Sequence, residues 1–154
     1  MIQRIQTIYL LIVSILIGIF FFLPFTSFVL EGDMSVCRLS IFGLISDAPS
    51  AKILFKAIPL FILVLVISAS NIATIFMYKR RMLQIRFCIA NIVLLLGMGG
   101  LMYYFVSVAK NQLGSHPSYS LIFVFPIISA IFIYMAIRRI AKDEALVRSM
   151  DRLR

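Results

Sequence analysis

Long apolar blocks, broken by short polar ones, run the length of this chain. Four stretches carry no charged residue at all: 5–30, 57–78, 87–109 and 111–137, of 26, 22, 23 and 27 residues. All but part of the last are strongly apolar. A helix needs about 20 apolar residues to cross the hydrocarbon core of a bilayer. The pattern therefore predicts an all-α membrane protein, a bundle of four transmembrane helices in a single domain, 1–154. The expected spans are Ile8–Phe28, Ala57–Tyr78, Phe87–Ser107 and Leu121–Ile137.

Between the blocks, the segment Val29–Lys56 is the largest outside the spans. Its first half, Ser27 to Leu30 and Met34 to Ile41 about Glu31-Gly32-Asp33, predicts a short β-hairpin in the first outer loop. Ser46 to Ser50, with Pro49, reads as a loop or helix start. A lone hairpin is marginal in water, so it has to pack on the helices or on a partner. Asn111–Ser120 is expected to be a short polar loop, broken by His116-Pro117. Spans two and three join in a tight antiparallel hairpin. From Arg138 to Arg154 neither glycine nor proline occurs and strong helix formers dominate. A C-terminal helix over 138–154 follows, with Leu146, Met150 and Leu153 as an apolar face for a partner or the membrane surface.

Composition reinforces the membrane reading: 62% of residues are hydrophobic and 14% charged, too apolar for a soluble fold of this size. The net charge of +9 in isolation suggests nucleic acid, but its placement argues against that partner. Eleven of the fifteen basic residues fall at one end: Arg4, Lys79, Arg80, Arg81, Arg86 and the six from Arg138 to Arg154. The positive-inside rule assigns that end, and both termini, to the cytoplasm. Arg138, Arg139 and Lys142 are the expected contacts with anionic headgroups. All six tyrosines lie near predicted interfaces. The first span lacks a small-residue cleavage site and reads as uncleaved.

Candidate chemistry is sparse. Asn71 and Asn91 are each ten residues from Arg81, so a hairpin turning there puts them at one depth. They are expected to face each other as a polar helix–helix contact; the alternative is a polar ligand or ion site. Ser14, Gly18, Gly97, Gly99 and Gly100 are expected to be packing surfaces that let backbones approach. Cys37 and Cys88 fall on opposite sides of the bilayer and do not pair. His116 has no companion ligands for a metal. No Asp, Glu, Lys or Arg lies within a span, unlike ion-coupled transporters. Neither a catalytic site nor a cofactor is indicated.

Three stretches, Met1–Leu10, Leu83–Asn91 and Lys142–Arg154, together resemble an uncharacterised family of small four-span inner-membrane proteins of Bacteroidota, a domain of unknown function. The resemblance covers the whole chain. It implies the inner membrane of a bacterium and no particular activity. Two functions follow. The first is a non-enzymatic structural or accessory subunit, or assembly factor, with a membrane-protein partner. The second is a small transporter, channel or lipid-handling protein acting as a homo-oligomer; an intramembrane enzyme ranks third. The threading is directly checkable: a reporter active only outside the cell, fused after Arg154, should be silent, and an active one would refute the topology.

Overall fold

The computed structural model describes residues 3–29, 36–46, 53–77 and 80–151. Four long helices lie side by side: α1 (Gln3–Ile19), α2 (Ile58–Phe76), α3 (Arg81–Leu113) and α4 (Phe125–Asp151), the last preceded by a 3-10 turn at Leu121–Val124. α1 packs on α2 and α4, and α3 packs on α2 and α4. Each helix buries one stripe spaced by threes and fours: Gln6, Leu10, Val13 and Ile17 on α1, and Ser129, Ile133, Ala136 and Ile140 on α4. Leu60, Val64, Ile67, Asn71 and Thr74 do so on α2, and Gln84, Cys88, Asn91, Leu95, Met98 and Met102 on α3. This spacing keeps one face on the neighbours along the whole helix.

The outward-facing surface of the helices is strongly apolar as well. Ile15 is 56% exposed, Ile62 54%, Val93 63%, Leu96 64% and Ile127 60%. Three helical segments, Ile58–Phe76, Arg81–Leu113 and Leu121–Ala145, are long and apolar enough to cross a membrane; Gln6–Ile19 is a shorter apolar helix. An apolar outside around a partly polar inside marks a membrane protein.

The first predicted span differs most. The helix stops at Ile19, and Phe20, Phe21 and Phe22 bond back to the carbonyls of Ile17, Gly18 and Ile19 in a tightening turn. Pro24 cannot continue a helix and turns its predecessor toward extended backbone. Thr26–Val29 then forms β1. α2 keeps within its predicted limits, whereas α3 overruns its own by nearly two turns at each end and α4 runs without interruption from the last apolar stretch into the basic tail. Pro126 sits in the first turn of α4, where the missing N–H costs nothing.

The chain is not all-α. The predicted hairpin forms, with β1 antiparallel to β2 (Val36–Ser40), and belongs to a five-stranded antiparallel sheet of order β4-β3-β2-β1-β5. β3 is Gly43–Ser46, β4 Ile53–Lys56 and β5 Pro117–Tyr119. Of the expected Ser46–Ser50 loop, Ser46 ends β3 and the remainder lies outside the described residues. The expected polar loop around Pro117 becomes the edge strand β5, paired with β1. Gly114 caps α3 in the left-handed conformation and bonds to the Lys110 carbonyl, which redirects the chain.

One face of the sheet is buried. Phe28 sits opposite Cys37 and Thr26 opposite Leu39; Leu39 sits opposite Leu44. Phe55 of β4 stacks on Phe105 of α3, centroids 6.0 Å apart. Cys37 lies on this covered face and is only 2% exposed. Both cysteines are unpaired, as expected.

Gly43 closes the β2–β3 turn at φ +134, and a Cβ there would meet the Phe55 carbonyl oxygen. Gly43→Ala is expected to destabilise by about 1–3 kcal/mol from backbone strain, with the steric clash in addition. Thermal unfolding in detergent reads this; an unchanged midpoint would contradict the turn geometry.

Candidate functional site

Asn71 is the hub of the polar contacts between α1 and α2. The Asn71 Nδ2 donates to the Leu10 carbonyl at 3.0 Å and to the Ser14 Oγ at 2.7 Å. Ser14 in turn donates to the Leu10 carbonyl at 3.2 Å. Asn71 therefore ties α2 to α1. Asn71 and Asn91 are both fully buried. The expected pairing of the two is not present: neither polar atom of Asn91 has a partner, and the Asn71 Oδ1 is also unpartnered. The physical reason is register. The hydroxyl of Ser14, one helix across, meets the Asn71 amide directly together with a backbone carbonyl. That satisfies both donors of the Nδ2 and leaves none for α3.

The expected glycine packing surfaces fare differently. A Cβ added at Gly18, Gly97, Gly99 or Gly100 meets nothing within 4 Å. Gly97 and Gly100 are exposed on the outer face of α3. They do not mediate contacts within the chain, because the buried stripe of α3 passes through Leu95, Met98 and Met102 instead. Ser14 does lie at a helix contact, as a hydrogen-bonding residue and not as a small spacer.

A second polar group closes the opposite end of the helices. The Gln6 amide of α1 donates to the Asp143 carboxylate of α4. The Arg81 guanidinium of α3 donates to the Asp143 carbonyl at 3.3 Å and stands 3.9 Å from the Glu144 carboxylate. These contacts hold the tail portion of α4 against α1 and α3. Gln6, Arg81 and Asp143 were not among the expected site residues. A glutamine at a seam position, four residues before Leu10 and seven before Val13, was the signal available. Arg138, Arg139 and Lys142 lie nearby on α4, exposed as expected, and line an open groove with Met135. Leu146 and Met150 lie on the α4 helix, and Leu153 lies outside the described residues.

At the sheet end a groove of about 260 Å³ is lined by Phe21, Phe22, Pro24, Arg38, Ser40, Phe42 and Ile45. Phe22 is 86% exposed and Phe42 51%. Among the described residues no group of three or more His, Cys, Asp or Glu could hold a metal.

The family model for DUF4293, a domain of unknown function, matches residues 2–153. The chain belongs to this family. No curated protein matches it. The features above, a buried asparagine node, a closed basic end and an aromatic groove on the sheet, are thus the physical description of a DUF4293 domain from which a role has to be argued.

The asparagines give a clear test. Asn71→Leu should cost about 0.6–2 kcal/mol, and a double-mutant cycle with Ser14→Ala should show coupling. Asn91→Leu removes unpartnered buried polar atoms and should be neutral or stabilising. Strong coupling between Asn71 and Asn91 in the same cycle would overturn this assignment.

Proposed function

We propose that this protein is a non-enzymatic component of a bacterial inner membrane that acts by association, as an accessory subunit or assembly factor of a membrane complex. In this reading all four helices cross the bilayer as one antiparallel four-helix bundle. The basic end, with both termini, faces the cytoplasm, and the sheet faces outward. The distribution of basic residues supports the orientation. The brevity of α1, about 25 Å at 1.5 Å per residue, is offset by the turn that follows it, where Phe22 and Leu23 extend the apolar wall.

The observation that carries the reading is the outer face of the sheet. Phe22 and Phe42 stand open around Arg38 in a shallow groove. Aromatic side chains and arginine are the residues that dominate protein–protein recognition. The interior supports it as well: the asparagine node ties helices together and is shut off from solvent, which suits a rigid mount better than a conduit. The second reading, a homo-oligomeric transporter or channel, draws on Gly97 and Gly100, whose exposure on α3 lets a second copy approach closely.

Purification in mild detergent tests this. The expected outcome is a second membrane protein in stoichiometric amount, bound about tenfold or more weakly by Phe22→Ser and Phe42→Ser variants. A homogeneous homo-oligomer without a second protein would overturn association in favour of the second reading.

A further inference from the structure

The groove on α4 at the basic end is about 390 Å³ and is lined by Met135, Arg138, Arg139 and Lys142. Spacings of three and four put these positions on one helix face. Like charges so close repel one another, and α4 carries two acids one step away, Asp143 and Glu144. Both are engaged elsewhere, Asp143 by Gln6 of α1 and Glu144 by Arg81 of α3. Among the described residues the three cations of the groove, Arg138, Arg139 and Lys142, have no acidic partner.

The same face continues as an apolar strip. Ile127 is 60% exposed, Ile131 55% and Met135 41%, one turn apart and ending at the cations. A free anion has no use for such a strip, whereas a molecule with a phosphate head and hydrocarbon tails matches both parts. We infer that this groove binds the headgroup phosphate of an anionic phospholipid, whose acyl chains lie along Ile127, Ile131 and Met135. The two guanidinium groups offer forked donors to the phosphate oxygens, and Lys142 adds a point charge. The inference rests on the spanning topology proposed above, which puts Arg138 at the hydrocarbon boundary, and not on association with a protein.

Full-length protein equilibrated with equal amounts of phosphatidylglycerol and phosphatidylcholine in detergent, then weighed by native mass spectrometry, reads the site. Wild type should retain phosphatidylglycerol preferentially. An R138Q/R139Q/K142Q variant should lose that preference by about fivefold per charge removed. R86Q, which removes an exposed cation at the same end but outside the groove, should keep it. The single variants R138Q and R139Q keep the test readable if the triple variant does not insert. Equal retention by wild type and the charge variants, or equal loss in R86Q, overturns the site. Displacement of the lipid by millimolar inorganic phosphate overturns the lipid assignment in favour of a free-anion site. Protease protection of the same preparations reads the threading separately. Preferential lipid retention by a chain of inverted threading would still support the groove while refuting the topology.

Discussion

The five-stranded sheet fixes the spacing of all four helices at one end, and the remaining contacts depend on it. β1 continues directly from the turn after α1, β4 leads into α2, and β5 joins α3 to α4. Backbone bonds outside the ladder complete the clamp: Phe25 to Leu39, Ala57 to Phe42 and Ser120 to Phe25. A backbone group left without a partner near hydrocarbon is costly. The strands meet this demand collectively, and in doing so set where each helix starts or stops. Phe55 on Phe105, Phe42 on Phe61 and Phe20 on Phe125 then fill the junction between sheet and helices.

Beyond the clamp, the helices are held by a few directional contacts within a well-packed seam. The outside of the helices is as apolar as lipid, so burial alone cannot favour one neighbour over another. Hydrogen bonds supply that preference. Asn71 selects α1 through Leu10 and Ser14, and Asp143 selects α1 and α3 together through Gln6 and Arg81. α1 thus gains a polar anchor part-way along and another near its start, which compensates for its being the shortest of the four.

Much of this was legible in the sequence. Charge-free windows locate α2, α3 and α4, and a helix-forming composition carries α4 through its basic tail. The hairpin of β1 and β2 is visible as two β-rich runs about Glu31-Gly32-Asp33. Other parts were hidden for definable reasons. An apolar run looks alike whether it folds as helix or as buried strand, so the predicted first span ran on to Phe28, overlapping the start of the hairpin, although Pro24 marked the break. β3, β4 and β5 are short, and pairing across the chain decides them: Pro117–Tyr119 is a strand only because β1 offers it an edge. That Asn71 and Asn91 are polar positions within apolar helices was readable, but which neighbour each meets was not. The asparagine therefore met Ser14 instead. The glycines of α3 suggested close packing by composition alone, while the stripe through Leu95, Met98 and Met102 turns them outward.

The pairing of β1 with β5 has a consequence for biogenesis. β1 is complete once Val29 is made, and its second partner begins only at Pro117. At about 5–20 residues per second, synthesis leaves that strand edge open for several seconds. During that interval one side of β1 is covered by β2 and the other presents free N–H and C=O groups to whatever is near. The emergence of the last hairpin, α3 to α4, therefore ends the period in which this chain is open to mispairing with another copy of itself.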